Sequence, residues 1–116
     1  MNKIFIKTPW GNEEQFTLNE ASTVKILRIN SGAECSLQYH NKRREFWKVL
    51  TGQVWAIVGD KTVEMATGDE IEIPIGVKHR LKHKDGNAQV LEISFGDFDE
   101  KDIVRLEDDY GRVGME

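Results

Sequence analysis

The 116-residue sequence contains one cysteine, two prolines and no long hydrophobic segment. A single cysteine excludes an intramolecular disulfide, which suits a reducing compartment. The longest uninterrupted apolar run covers residues 54–58, whereas a membrane-spanning helix needs about 20 apolar residues. The first fifteen residues carry charges of both signs and lack the apolar core of a secretory signal. These absences predict a cytoplasmic protein that does not associate with membranes.

Positive charge is also limited, because 16 lysines and arginines face 20 acidic residues and leave a net charge of -4. A chain with this balance is not expected to present a general nucleic-acid-binding surface. Its length fits one domain with one hydrophobic core, and we expect that domain to span residues 1–116.

Short runs rich in valine, isoleucine, phenylalanine and tryptophan recur along the chain, and each ends at a glycine or a polar cluster. The runs cover residues 24–29, 46–50, 54–58, 62–65, 70–75 and 89–95. Thr51-Gly52 and residues 85–87 read as turns between runs, and Gly59-Asp60 has the composition of a two-residue hairpin turn. The pattern predicts an all-β fold, either an antiparallel sandwich or a small barrel.

The acidic C-terminal segment, residues 97–112, differs from the rest of the chain. Seven acidic residues lie between positions 97 and 109, with Ile103, Val104 and Leu106 interleaved among them. A solvated tail would not need these apolar residues, so we expect the segment to dock on the barrel.

Gln38, His40 and Glu45 lie close together in the sequence with side chains suited to metal binding. Side chains of a strand repeat their direction every second residue, so Gln38 and His40 share one face. Residues 41–44 are a plausible turn, after which Glu45 could face back across a hairpin. Taken singly, each residue also has a purely structural explanation.

His79 provides a second imidazole, preceded by Pro74 and Gly76, which bend the chain before it. Together with Gln38, His40 and Glu45 it completes a set of two nitrogen and two oxygen ligands. A set without thiolate suits one divalent ion, namely zinc, manganese, iron, cobalt or nickel.

The spacing of these residues forms two motifs. They read Gly32-x5-Gln38-x-His40-x4-Glu45-x6-Gly52 and Gly68-x5-Pro74-x-Gly76-x2-His79. The pair resembles the motifs of the cupin superfamily, which implies a small β-barrel of the double-stranded jelly-roll type. Glutamine at position 38, where most cupins have histidine, is similar to the phosphomannose isomerases.

The resemblance extends over nearly the whole chain to the type II phosphomannose isomerases, whose isomerase domain is otherwise fused to mannose-1-phosphate guanylyltransferases. It is carried by Pro9-Trp10-Gly11 and by residues 36–47, 73–81 and 102–112. It implies a metal-dependent aldose–ketose isomerase that interconverts mannose 6-phosphate and fructose 6-phosphate through a cis-enediol. It also implies zinc as the leading candidate for the metal and links Arg43, Arg105 and Arg112 to activity.

An anionic substrate needs positive charge near the site, and half of the basic residues fall within windows 42–48 and 78–84. We therefore predict Arg43, Arg80 and Lys78 as substrate-binding residues for a small sugar phosphate. The alternative for the lysines is the solvent face of an edge strand. Glu72 and His83 are candidates for the base, although Glu72 could equally be an outward-facing strand carboxylate.

Two other functions remain open from the sequence. His40, Glu45 and His79 also compose the two-histidine, one-carboxylate set of non-haem iron dioxygenases. A non-catalytic sugar-binding or regulatory cupin is the second alternative, since a fold can persist without activity. Exposed strand edges in so small a protein further predict a homodimer.

Overall fold

The computed structural model describes residues 3–114, and within them the chain forms nine strands and no helix. The strands are β1 Ile4–Thr8, β2 Gly11–Gln15, β3 Ser22–Ile29, β4 Leu37–Tyr39, β5 Arg44–Val58, β6 Lys61–Ala66, β7 Glu70–Ile73, β8 His79–Phe95 and β9 Val104–Glu107. The all-β class predicted from the sequence is confirmed. In this part of the chain there is accordingly no helix that could cross a membrane.

Two long strands organise the fold, because β5 and β8 pair antiparallel along nearly their whole length. In one layer, the first half of β5 pairs with β7 and with the second half of β8, and that half of β8 pairs with β3. The strand order of this layer is β3-β8-β5-β7. In the other layer, the second half of β5 pairs with β6, the first half of β8 pairs with β4, and β9 pairs with β4 at the edge. The strand order of this layer is β9-β4-β8-β5-β6. These are the two layers of a jelly roll. Among the described residues the strand pairing does not close into a complete barrel.

The division of β5 and β8 into halves depends on Gly52. The sequence predicted turns at Thr51-Gly52 and at residues 85–87, and both predictions were wrong, because β5 and β8 run through these positions. Gly52 has φ +72°, and a β-carbon there would lie 2.9 Å from the backbone of Ala88. The two backbones therefore approach closely, and the irregularity is absorbed as shifts in the β5–β8 register. The Gly59-Asp60 hairpin turn is confirmed by the β5–β6 pairing.

The larger apolar cluster lies between the two layers, and a second one is formed by Phe46, Ile93 and Phe95. Val54 and Ala56 of β5 are completely buried in the larger cluster. Along β8, alternate residues share the interior face, and Val90 is apolar while Glu92 and Ser94 are polar and also buried. The interior therefore changes from hydrophobic to polar along β8, and the candidate site lies at the polar end.

The acidic C-terminal segment is attached to the rest of the molecule by strand pairing and by side-chain hydrogen bonds. Its β9 pairs with β4, with Tyr39 opposite Val104. Before β9, the Asp102 carboxylate accepts hydrogen bonds from the backbone N–H groups of Asn41 and Lys42, at 2.9 and 3.0 Å. The segment thus extends one sheet and also holds the loop that follows β4.

Candidate metal centre

Three side chains from different parts of the fold meet at the polar end of the core. His40 follows β4, Glu45 lies near the start of β5, and His79 begins β8. Glu45 Oε1 is 3.1 Å from His40 Nε2 and 3.2 Å from His79 Nε2. All three residues are at most 2% exposed, and one ligand atom from each lies within 4.8 Å of the others.

In both histidines, the hydrogen bond made by Nδ1 determines whether Nε2, which faces Glu45, carries a proton or a lone pair. His40 Nδ1 is 2.6 Å from the Asp102 main-chain oxygen, and His79 Nδ1 is 2.9 Å from that of Val77. A carbonyl oxygen can only accept, so we assign the ring proton to Nδ1 in both histidines. Each Nε2 then directs a lone pair towards Glu45. A hydrogen bond from one ring nitrogen to a main-chain oxygen is typical of histidines that bind a metal through the other nitrogen.

The three inner atoms fit a divalent cation. A carboxylate oxygen and two imidazole lone pairs repel one another at this separation, and Glu45 Oε1 and His79 Nε2 are buried without a hydrogen-bond partner. A cation between them would satisfy all three at once. Two imidazoles and a carboxylate suit zinc, manganese, iron, cobalt and nickel alike, so the donor set does not select among these metals.

The Ser94 hydroxyl orients Glu45. It donates to Glu45 Oε2 at 2.7 Å. Burial raises the pKa of Glu45, whereas this hydrogen bond lowers it. The second carboxylate oxygen is thus already held, and Oε1 is left to face the two imidazoles.

Arg43 lies beside two of the ligands and is itself buried. Its Nε is 3.5 Å from Glu45 Oε2, and its Nη2 is 3.3 Å from His40 Nε2. Its Nη1 donates to the main-chain oxygen of Asp99 at 3.0 Å. The C-terminal segment thus holds the guanidinium in place, with its charge directed at the metal ligands.

Asp102 is a supporting residue to which the sequence analysis assigned no role. Its carboxylate holds the backbone after His40, while its main-chain oxygen accepts from the imidazole. Partial burial opposes ionisation of this carboxyl, but the hydrogen bonds from Asn41 and Lys42 lower its pKa. Only the long-range packing of the C-terminal segment brings Asp102 next to His40.

Gln38 lies beside the cluster, although not by the predicted route. Its α-carbon pairs with that of His79 across β4 and β8, and its side-chain oxygen accepts from the Ser36 hydroxyl at 2.8 Å. The predicted hairpin, across which Glu45 would face back after a turn at residues 41–44, was wrong. β4 pairs with β8 and β9, whereas Glu45 pairs with β7 and the other half of β8. Residues 40–43 therefore pass from one layer to the other.

A cavity of about 520 Å³ adjoins the cluster. Gln38, His40, Arg43 and Glu45 all line it, so the site is accessible to a small molecule. The C-terminal segment forms part of its wall through other side chains. The predicted Arg105 and Arg112 are among these.

The two arginines of the C-terminal segment differ in exposure. Arg105 is half-buried, and Arg112 is exposed. Arg112 binds the Asp108 carboxylate through Nε at 2.8 Å and Nη2 at 2.9 Å. This contact lowers the pKa of Asp108 to about 2. Much of the Arg112 charge is therefore compensated within the chain.

Lys78 and Arg80, predicted to bind substrate, lie outside the lining of this cavity. Lys78 is exposed. Arg80 is buried, donates to the main-chain oxygen of Cys35 at 2.8 Å and pairs with Glu107 at 3.1 Å. Arg80 thus joins β8 to the C-terminal segment and does not face the site.

Glu72 and His83, the two candidates for the general base, also lie outside the metal cluster and the cavity wall. Glu72 is exposed and lies outside the lining of this cavity. His83 accepts from the Gly32 N–H through Nδ1 at 3.3 Å and donates to the Gly86 main-chain oxygen through Nε2 at 2.8 Å.

Glu92 is a buried acidic residue of the cavity that the sequence analysis missed. It is 8% exposed, and its Oε2 accepts from Trp47 Nε1 at 2.9 Å. Burial and the neighbouring Glu45 raise its pKa. The available signal was strand periodicity, because Glu92 shares the parity of the buried Val90 and Ser94.

Known protein sequences match this chain over nearly its whole length. Residues 2–108 match the family described as mannose-6-phosphate isomerase C-terminal. The xanthan biosynthesis protein XanB of Xanthomonas campestris pv. campestris (strain B100) is 36% identical over 90% of this chain and 23% of its own length. The alginate biosynthesis protein AlgA of Pseudomonas aeruginosa is 34% identical over 97% of this chain and 24% of its own length. The chain thus spans about a quarter of these relatives.

Solved structures confirm the cupin-type jelly roll. Oxalate decarboxylase from Bacillus subtilis superposes with a TM-score of 0.69 at 22% identity, over 75% of this chain and 24% of that one. The rmlC epimerase of Mycobacterium tuberculosis superposes with a TM-score of 0.68 at 12% identity, over 89% of this chain and 65% of the epimerase chain. These likenesses establish the fold alone, whereas the sequence match establishes the relationship. The chain belongs to the mannose-6-phosphate isomerase C-terminal family.

Proposed function

We propose that this chain is a metal-dependent isomerase that interconverts mannose 6-phosphate and fructose 6-phosphate through a cis-enediol. The observation that carries the proposal is the buried convergence of His40, Glu45 and His79 beside a cavity, in a chain of this isomerase family. The metal is one divalent ion per chain, and zinc is the first to test. Membership of the family supports the reaction type, and the donor set supports the metal.

His40, Glu45 and His79 would hold the ion, with Gln38 beside them. When bound, it would supply Lewis-acid polarisation of the oxygens on C1 and C2 of the sugar. The chain's own groups act around that centre. Arg43 places a fixed positive charge beside His40 and Glu45, where it would stabilise negative charge that develops on the enediol oxygens.

The cavity has the capacity for such a substrate. Its volume of about 520 Å³ lies within the range of small-molecule sites, roughly 300–1,000 Å³. Arg105 and Arg112 line it from the C-terminal segment. We propose that they and Arg43 contribute to activity from the wall of this cavity.

The test is an isomerase assay on the purified full chain. Fructose 6-phosphate formation from mannose 6-phosphate should stop when a chelator removes the metal and resume when a divalent ion is returned. His79→Ala should abolish activity. His83→Ala, at the remaining histidine of the chain, should retain it because His83 lies outside the site. Metal-loaded protein that forms no ketose would contradict the proposal.

The clustering of two histidines and one carboxylate keeps the dioxygenase-type alternative open. Oxygen consumption by the ferrous protein would favour it, whereas anaerobic isomerase activity with zinc would exclude it. Calorimetric binding of mannose 6-phosphate without turnover would instead indicate a non-catalytic binding cupin. The homodimer and the cytoplasmic location stay predictions.

A further inference from the structure

Strand β3 places two cationic residues on the cavity, and the sequence analysis selected neither of them. Lys25 is half-buried and Arg28 is exposed, and both line the cavity. Among the described residues, no carboxylate forms an ion pair with either one. Arg80 and Arg112, in contrast, have acidic partners at about 3 Å. Positive charge without a direct ion pair therefore lies on the β3 side of the cavity.

An aromatic ring holds Lys25 in place. Lys25 Nζ is 4.3 Å from the centroid of the Phe98 ring, and Arg43 Cζ is 4.4 Å from the same centroid. A cation–π contact positions an ammonium group without neutralising it. The three N–H donors of Lys25 thus remain available to an anion. The contact also places Lys25 one aromatic ring away from Arg43, which touches His40 and Glu45.

Two other cations of the cavity, Arg43 and Arg112, are less suited to hold a dianion. Arg43 is engaged by His40, Glu45 and the main-chain oxygen of Asp99. Arg112 is held by Asp108 through two contacts. Glu92 faces Lys25 from the adjacent strand. It attracts Lys25 electrostatically without forming an ion pair with it, and its Oε2 accepts a hydrogen bond from the Trp47 indole.

We propose that Lys25, assisted by Arg28, forms the subsite for the phosphate of the ligand, a phosphomonoester dianion. The ligand would then span the cavity, with its phosphate on β3 and its carbonyl end at the metal centre. The sugar part of this inference rests on the proposed function. The anion subsite does not, because it follows from charge and contacts on the β3 side.

The experiment measures binding to the metal-loaded full chain by calorimetry, with mannose 6-phosphate, inorganic phosphate and mannose as separate probes. Lys25→Gln should weaken binding of both phosphate-containing probes by about tenfold or more, the loss expected for a charge-assisted hydrogen bond. Binding of mannose and the metal content should not change. Lys61→Gln, at an exposed lysine of β6 outside the cavity, is the matched control and should bind all three probes as the wild type does.

Two further variants test the subsite if Lys25→Gln does not fold. Lys25→Arg should restore most phosphate binding, and Arg28→Gln, at an exposed position, should weaken it. Unchanged binding of mannose 6-phosphate and inorganic phosphate in both Gln variants would overturn the proposal. If Lys25→Gln loses phosphate binding while the wild type forms no fructose 6-phosphate, the subsite stands and the proposed isomerase function fails.

Discussion

A divalent cation held by His40, Glu45 and His79 should stabilise the folded chain, because these ligands converge only in the folded state. At a free metal concentration one hundred times the dissociation constant, the gain is about 2.7 kcal/mol. For a domain of this size, 1 kcal/mol corresponds to about 4 °C in melting temperature, so we expect a rise of roughly 10 °C.

His79→Ala should remove that rise. The metal-free variant should also melt lower than the metal-free wild type, because His79 is 1% exposed and packs edge-on against Trp47, with 5.5 Å between ring centroids. Loss of a buried side chain of this size costs about 2–4 kcal/mol. The informative quantity is therefore the difference between melting temperatures with and without metal, measured within each variant.

The assay is thermal unfolding followed by circular dichroism, after chelation and again after a titration with zinc, manganese or cobalt. His83→Ala is the control and should keep the wild-type rise, because His83 hydrogen-bonds to the backbone outside the cluster. The assignment of the site is refuted if His79→Ala keeps the full rise, or if His83→Ala loses it. Metal content by elemental analysis should follow the same order.

Three further outcomes are expected. Ser94→Ala removes the 2.7 Å hydrogen bond to the metal-site carboxylate and should weaken metal affinity by about 10–100-fold in a competition titration with a chelator; unchanged affinity would rule out its orienting role. Gly52→Ala should lower the free energy of unfolding by about 2–4 kcal/mol in urea, because its β-carbon would meet backbone at 2.9 Å. Gly32→Ala, at φ +75° with nothing within 4 Å, should cost only about 1 kcal/mol, and equal losses would contradict the close-approach argument. Arg112→Ala should return the pKa of Asp108 from about 2 towards 3.8, as followed by carboxyl NMR. Because the folded-state pKa of Asp108 is lowered, the stabilisation from the Asp108–Arg112 pair should be present above about pH 4 and lost as the pH falls to 2. An Asp108 pKa that stays near 2 in the Arg112→Ala variant would exclude Arg112 as the cause of the lowered value.

Local pattern was sufficient for β3, β6 and β7, for parts of β5 and β8, and for much of the metal site, whereas β1, β2 and β9 lie outside the predicted runs. Short runs of β-branched and aromatic residues predicted the strands, and the Gly59-Asp60 pair predicted its hairpin, because both depend on neighbours in sequence. The spacing of the two motifs also selected His40, Glu45 and His79, which the fold brings together. The two predicted breaks at Thr51-Gly52 and residues 85–87 failed for a long-range reason. A glycine next to a turn-like residue usually ends a strand, but here it lets β5 pass close to β8.

Residues whose role depends on distant packing were not predictable in this way. Asp102 supports His40 only because the C-terminal segment returns beside β4. Lys25 reaches the cavity only because β3 pairs with β8 and Phe98 lies beside it. Arg80 was predicted to bind substrate from its place near His79, and only the tertiary structure shows that its guanidinium pairs with Glu107.

The sequence by itself determined the chemistry that this protein can offer: an all-β chain with two imidazoles, a carboxylate and an amide at cupin spacing. That information is local, since it depends on residue type and on the two-residue repeat of a strand. The tertiary structure decided which groups share a cavity, which charges are already paired and which polar atoms are buried without a partner. These properties depend on distances between residues far apart in the chain, and only strand pairing and the docking of the C-terminal segment establish those distances.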